Sequence, residues 1–138
     1  MKTTAVRTQD IEQKWYIMDC SGKTLGRLSV QVANILRGKN KPEYTPNADV
    51  GDFVVLVNAK DIKVTGKKTE DKIYYRHSGY PGGIKQISFK AKDPEKIIRD
   101  SVKGMLPKNR LNRQIIKKLK VYSDENHPHE AQNPKELK

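Results

Sequence analysis

The segment 103–120, KGMLPKNRLNRQIIKKLK, contains seven basic residues and no acidic one. If residues 110–120 form a helix, a rotation of about 100° per residue places Leu111, Ile115 and Leu119 on one side. The cations at positions 110, 113, 117 and 120 then share a narrow stripe on another side. Such a helix packs on a core by one face and presents cations on another, which suits a polyanion.

The net charge of +12 is concentrated in one part of the chain. Residues 60–120 contain 18 basic and 6 acidic side chains, residues 1–59 contain 8 and 6, and residues 121–138 contain 2 and 4. Because the excess is localised, it indicates a binding face and not only a solvated surface. We therefore expect a nucleic acid partner, with an anionic membrane surface or an acidic protein as alternatives.

A second group of candidate binding residues lies in segment 74–83, YYRHSGYPGG, where aromatic and basic residues meet three glycines. Aromatic rings and arginine can stack on unpaired bases, and glycine lets the chain approach a phosphate backbone closely. Residues 72–77 and 84–89 read as strands on either side, which predicts a projecting β-hairpin. A second interpretation is that alternate side chains, such as Ile73 and Tyr75, point into the core, and both interpretations can hold because strand faces alternate.

The sequence predicts no catalytic site, no metal site and no cofactor. Segment 22–27, GKTLGR, partly resembles a phosphate-binding loop, but its lysine precedes the second glycine and does not fit that pattern. The histidines at positions 77, 127 and 129 fall short of the ligand set that zinc prefers. Cys20 is the single cysteine, and no base or orienting residue is marked out beside it.

The elements that position the candidate residues follow an α/β pattern. Residues 15–19 and 53–58 are predicted strands, and the second is apolar throughout, as in a buried parallel strand. Residues 25–37 between them have helical periodicity, with Thr24 as the N-cap and Gly38 as the C-cap. These elements predict a right-handed βαβ unit.

The second half of the chain contains a further predicted helix, which begins at Pro94 after an Asp93 cap and ends at Pro107. Its inner side is predicted to include Met105, and residues 120–122 form a possible last strand. The tail has no apolar periodicity and is expected to wrap the surface or to be mobile.

The length of 138 residues predicts one domain. We expect a core over about 14–122 and terminal extensions at 1–13 and 123–138. The single cysteine favours a reducing compartment, and the chain has neither an apolar run of about 18 residues nor the apolar core of a signal peptide. These features predict a cytoplasmic protein without a membrane span.

Seven stretches along the chain resemble the bacterial-type large-subunit ribosomal protein family numbered thirteen. They occur in order and at the family's spacing: LGRL (25–28), LRGKNKPEYTPNADVGDFVVLVNA (36–59), TGKK (65–68), YYRHSGYPGG (74–83), KGMLPKNRL (103–111), KKLKVY (117–122) and HPHEAQNP (127–134). The chain departs from the family pattern at Cys20, often alanine, at Asn112, usually glycine, and over residues 123–126.

The resemblance implies a three-layer α/β/α domain with a short, mostly parallel sheet. It also implies a structural constituent of the large ribosomal subunit, in bacteria or an organelle of bacterial descent, that binds large-subunit ribosomal RNA and supports early subunit assembly. Neighbouring large-subunit proteins are the other implied partners, with no enzyme activity and no small-molecule substrate.

The predicted RNA-binding residues are basic residues of the second half, the adjoining histidine and two lysines of the first loop. They are Lys39, Lys41, Arg76, His77, Lys103, Lys108, Arg110, Arg113, Lys117, Lys118 and Lys120. Two other functions stay open on the residues alone. One is an enzyme acting on a nucleotide or nucleic acid, and the other is an RNA chaperone outside the ribosome.

Overall fold

A computed structural model describes residues 5–137. Its strands are β1 (Trp15–Asp19), β2 (Phe53–Val57), β3 (Ile73–His77), β4 (Ile84–Ser88), β5 (Leu119–Val121) and β6 (Lys135–Glu136). Its α-helices are α1 (Leu25–Arg37), α2 (Lys68–Asp71), α3 (Pro94–Met105) and α4 (Arg110–Ile115). Short 3-10 turns lie at Thr8–Asp10, Ala59–Asp61, Ile116–Lys118 and Glu130–Gln132.

Four parallel strands form the main sheet in the order β5-β2-β1-β6. β1 and β2 are neighbours, with Tyr16 opposite Val54 and Met18 opposite Leu56, and α1 connects them along the chain. The predicted α/β class, the parallel sheet and the strand–helix–strand order are therefore confirmed. Both faces of β2 are covered, since Val54, Val55 and Leu56 are fully buried.

Gly38 ends α1 in the left-handed region at φ 76°, as its predicted capping role requires. The loop after it returns to the end of the helix, where a Cβ atom on Gly51 would lie 1.7 Å from the carbonyl oxygen of Leu36. Only glycine fits this contact. At the other end, the Thr24 hydroxyl forms no capping hydrogen bond, and the residue instead forms a bridge with Lys63.

Helices α1 and α3 pack against each other on one side of the sheet. Their contact includes a hydrogen bond of 2.8 Å between the hydroxyls of Ser29 and Ser101. Asp93 caps α3 by accepting from the backbone amide of Glu95, as predicted. The inward position predicted for Met105 is wrong, because its side chain is 40% exposed while the adjoining Leu106 is buried.

The segment after β5 covers part of the opposite face of the sheet. Trp15 stacks on Phe53 with ring centroids 4.4 Å apart, and His129 lies 5.1 Å from the Trp15 ring. The last described residues then add β6 to the edge of β1, where the amide of Leu137 donates to the carbonyl of Ile17. The tail therefore contributes a strand, which its sequence did not predict.

The helix predicted over residues 110–120 is correct only in its first half. The α-helix ends at Ile115, a 3-10 turn follows, and β5 begins at Leu119. The chain changes conformation here because Leu119 and Val121 pair with β2 and bury their side chains in the core. The predicted stripe of four outward cations therefore does not lie on one helix.

The predicted hairpin is confirmed as a separate antiparallel ribbon of β3 and β4. Every residue of β4 is exposed, which is typical of an element that projects from the domain. Among residues 5–137, no helix combines the length and the apolar character that crossing a membrane requires.

Candidate nucleic-acid interface

A cleft of about 520 Å³ lies between the end of α3 and the start of α4. Its lining brings together four cations from three consecutive pieces of the chain. They are Arg99 and Lys103 from α3, Lys108 from the connection and Arg113 from α4. The cleft therefore gathers three predicted site residues and adds Arg99, which lies one helical turn before Lys103.

The sequence around Pro107 explains why the chain opens a cleft at this position. Proline cannot continue α3, and the buried Leu106 anchors the end of that helix in the core. The side chain of Asn109 then caps α4 by accepting from the amide of Asn112 at 2.9 Å and from its side-chain nitrogen at 2.8 Å. Asn112 thus stabilises the start of α4 through both its backbone and its side-chain nitrogen.

The cations at the cleft are available to bind an anion. Arg99, Lys103, Lys108 and Arg113 are exposed, and within residues 5–137 none of them forms an ion pair with a carboxylate. Asp100 also lines the cleft, but its carboxylate is 2.6 Å from the ammonium of Lys92. That ion pair offsets the negative charge, so the cleft presents a net positive surface.

Arg110 and Lys117 lie beside the cleft and do not line it. Both side chains are exposed, and in the described part of the chain neither has a carboxylate partner. Together with the four cleft cations they form the cation cluster, which comprises Arg99, Lys103, Lys108, Arg110, Arg113 and Lys117.

Lys118 has a different environment from its neighbour Lys117. Its side chain is 7% exposed, and its ammonium donates to the Asp49 carboxylate and, at 2.9 Å, to the carbonyl of Gly51. Burial lowers the pKa of Lys118, while the hydrogen bond to Asp49 acts in the opposite direction. The Lys118 side chain is therefore engaged inside the fold, whereas its predicted RNA contact stays a prediction.

Lys41 is engaged within the protein in the same way. Its ammonium lies 2.7 Å from Asp52 and donates to the carbonyls of Val50 and Glu12. Asp52 is fully buried and also accepts from the amide of Lys14 at 2.9 Å. The Lys41 charge is thus already satisfied inside the fold, and its predicted RNA contact stays a prediction.

The remaining predicted residues lie outside the cation cluster. Lys39 is exposed in the loop after α1. Lys120 is half-buried on β5, and its charge is one of the causes that lower the pKa of His129, after burial and His127. Arg76 and His77 lie near the tip of the β-ribbon and are exposed.

The ribbon is held to α3 through its base. Tyr74 stacks on Phe89, and the ammonium of Lys92 lies 3.9 Å from the Tyr74 ring centroid while it pairs with Asp100. Burial raises the pKa of the Tyr74 hydroxyl. The alternative that Ile73 and Tyr75 point into the core is wrong, because they are 41% and 61% exposed.

The set of RNA-binding residues predicted from the sequence does not include three basic residues of this region. Arg99 shares the outer side of α3 with Lys103, and helical spacing alone would have found it. Lys85 lies directly opposite Arg76 in the ribbon, which strand pairing would have shown. No sequence pattern marks Lys92 as part of this region, because its contacts with Tyr74 and Asp100 form only in the folded chain.

The described residues offer no reactive thiol. Cys20 is fully buried, and burial raises its pKa to about 12. A thiol in that environment stays protonated at neutral pH and is a poor nucleophile.

Within residues 5–137, cations without carboxylate partners gather at one cleft and on a projecting ribbon, and such clusters are typical of proteins that bind polyanions. The comparisons with known proteins define the family. A family model described as "Ribosomal protein L13" matches residues 13–128. The chain is 55% identical to "Large ribosomal subunit protein uL13" of Stutzerimonas stutzeri (strain A1501), over 141 aligned positions that cover 100% of this chain and 99% of that relative.

The proteins of the same name from two other bacteria are similar to the same extent. Identity is 55% for Azotobacter vinelandii (strain DJ / ATCC BAA-1303) and 54% for Pseudomonas aeruginosa (strain UCBPP-PA14), and each alignment covers 100% of this chain and 99% of the relative. The chain belongs to the ribosomal protein L13 family, as the resemblance predicted. This is a family of structural proteins and not of enzymes.

Proposed function

We propose that this protein is a structural constituent of the large ribosomal subunit, located in the cytoplasm, that binds large-subunit ribosomal RNA and supports early subunit assembly. The observation that carries the proposal is the cation cluster, which is exposed and has no carboxylate partners within residues 5–137. Relatives over the whole length of the chain are named as large-subunit proteins, which supports the ribosomal setting.

The cation cluster binds RNA through phosphates. Each cation that neutralises a phosphate releases counterions and contributes roughly 0.7–0.9 to the slope of log affinity against log salt. Six engaged cations therefore give a slope of about −4 to −5. Contacts of this kind position the protein and do not read sequence, so the folded shape of the RNA provides most of the specificity.

Neighbouring large-subunit proteins are the second class of partner in this proposal. An RNA chaperone outside the ribosome is the competing function, because it would use the same cations. The two differ in stoichiometry, since only a subunit component stays with the large subunit at one copy per particle. Sedimentation of a cell extract after a moderate salt wash separates them. Recovery of the chain only in the free-protein pool would reject the ribosomal proposal.

The RNA contact is tested by changing Arg110, Arg113 and Lys117 together to glutamine. The expected result is weaker binding to large-subunit ribosomal RNA, with a salt slope that is shallower by about 2–3. The fold should be unchanged, because these side chains are exposed and unpaired. Filter binding over a range of salt concentrations measures both quantities, and circular dichroism checks the fold.

A matched control removes the same charge elsewhere. Lys14, Arg27 and Lys135 are exposed, lie outside the cation cluster and form no ion pair among the described residues. Their triple glutamine variant should keep nearly the wild-type salt slope. If both triple variants behave alike, the net charge and not the cation cluster determines binding, and the proposed interface is wrong.

A further inference from the structure

The β-ribbon has one face without any charged residue. Strand pairing places Ile73 opposite Ser88, Tyr75 opposite Gln86 and His77 opposite Ile84, and side chains of opposed residues lie on the same face. On this uncharged face Tyr75 is 61% exposed and Ile84 is 57% exposed. Aromatic and apolar side chains therefore form much of the exposed surface of this face.

The opposite face of the ribbon carries a pair of like charges. Arg76 lies directly across from Lys85, and both side chains are exposed. In the described part of the chain neither has a carboxylate within ion-pair distance. Because like charges directly opposite each other destabilise a strand pair, this position favours an anion that neutralises both.

The tip of the ribbon is held in one conformation by contacts within the loop. The loop uses Gly79 at φ 90° and Gly82 at φ 72°, and the amide of Ser78 donates to the carbonyl of Gly83 at 3.0 Å. The Nδ1 atom of His77 accepts from the amide of Gly79 at 2.9 Å, so the neutral ring offers its Nε2–H group as a donor. Binding therefore orders few additional groups in the protein.

We propose that the uncharged face stacks on an unpaired nucleotide of ribosomal RNA, with Tyr75 as the platform, while Arg76 and Lys85 bind phosphates on the other face. The inference rests on the proposed function and assigns a second, chemically different contact to the same RNA. The ribbon then acts as a wedge between RNA segments, with base contact on one face and backbone contact on the other.

The size of the face favours a nucleotide over a protein. Five-residue strands are about 17 Å long, and the two strands lie about 5 Å apart, so the ribbon presents roughly 200 Å² or less. Stable protein interfaces bury about 800 Å² on each partner. A base needs only one exposed ring to stack upon, which Tyr75 provides. The Arg76–Lys85 pair adds the charge complementarity that an RNA backbone requires.

The test compares two substitutions of Tyr75 in the full chain. Tyr75→Leu removes the aromatic ring and should weaken binding to large-subunit ribosomal RNA about 5- to 150-fold, the range for loss of one stacked base. The salt slope should not change, because no charge is lost. Tyr75→Phe retains the ring and should bind within about twofold of the wild type.

A tryptophan at the same position reports stacking directly. Trp15, the single native tryptophan, is already stacked on Phe53, so the added emission of Tyr75→Trp comes from the ribbon. Ribosomal RNA should quench this added emission, and RNA should leave the wild-type emission almost unchanged. Binding without quenching would overturn the stacking proposal.

The failure of this inference is distinguishable from the failure of the proposed function. If Tyr75→Leu binds as the wild type does while the Arg110, Arg113 and Lys117 variant binds weakly, stacking is wrong and the cation cluster stands. If neither variant changes binding, the RNA-binding proposal itself is wrong. If Tyr75→Leu binds free ribosomal RNA normally but enters subunits poorly, the face contacts a protein and this inference is overturned.

Discussion

Two adjacent lysines should have opposite roles, and this prediction tests the assignment of the interface most directly. Lys117 is exposed and has no carboxylate partner among the described residues, whereas the Lys118 side chain is 7% exposed and bound to Asp49 and Gly51. We expect Lys118→Met to lower the free energy of unfolding and to leave RNA binding intact. Lys117→Met should weaken RNA binding and leave the free energy of unfolding nearly unchanged.

The magnitude for Lys118→Met follows from its contacts. The substitution leaves the buried carbonyl of Gly51 without its donor, which costs about 1–3 kcal/mol. It also removes the partner of Asp49, whose side chain is 22% exposed, so that this loss adds roughly 0.5–1 kcal/mol. The burial that lowers the pKa of Lys118 no longer opposes folding, which offsets part of the loss. The net decrease in the free energy of unfolding is about 1–3 kcal/mol.

Two measurements on each variant decide the matter. Urea unfolding should show the decrease only for Lys118→Met, because exposed and unpaired side chains change stability by about 0.5 kcal/mol or less. The salt dependence of ribosomal RNA binding should become shallower by roughly 0.7–0.9 only for Lys117→Met. Asp49→Asn serves as a control that weakens the same internal contact without removing a cation. A shallower slope with unchanged stability in Lys118→Met would refute the reasoning.

Three further outcomes are expected. Cys20 should resist alkylation at pH 8 in the folded protein and react once urea unfolds it, because burial raises its pKa to about 12; rapid labelling of folded protein would contradict this. Burial lowers the pKa of His129, so the imidazole binds a proton more tightly in the unfolded chain than in the folded one. The free energy of unfolding measured with urea should therefore fall as pH drops through about 6.5. His129→Gln should flatten this dependence. Lys92→Met should weaken RNA binding about fivefold, because it leaves the Asp100 carboxylate without its cation. Asp100→Asn in the same chain should restore binding. Failure to restore it would show that the Asp100 charge does not affect RNA binding at the cleft.

The first half of the fold was predictable because each pattern there has one interpretation. The apolar stripe of α1 has helical spacing and ends at a glycine, and Phe53–Val57 is too short and too apolar for a surface helix. In the second half two patterns share Leu119. Its spacing from Ile115 fits a helix, and its alternation with Val121 fits a strand. Leu119 forms a strand because it pairs with the edge of β2 that β1 leaves open. A sequence pattern does not show that open edge.

The candidate site was predictable to the extent that charge alone defines it. The acid-free run supplies three of the four cations that line the cleft, and exposed cations need no partner in the fold. Two of the predicted site lysines are engaged inside the fold by partners that lie elsewhere in the sequence. Lys118 pairs with Asp49, which is 69 positions away, and Lys41 pairs with Asp52 across a loop. Burial of a lysine depends on such contacts, and local sequence does not reveal them.

The buried lysines also determine where the exposed ones lie. Asp49 and Gly51 precede β2, and Lys118 ends the turn that leads into β5, so their contact ties the entry of one strand to the entry of its neighbour. Lys117 is the residue before Lys118, and Arg113 lies one helical turn before that. The contact of Lys118 therefore fixes the place of these cations in the proposed RNA interface. Lys118→Met retains all six charges of the cation cluster, so its effect on the free energy of unfolding is separate from the electrostatic contribution of the cluster to RNA affinity.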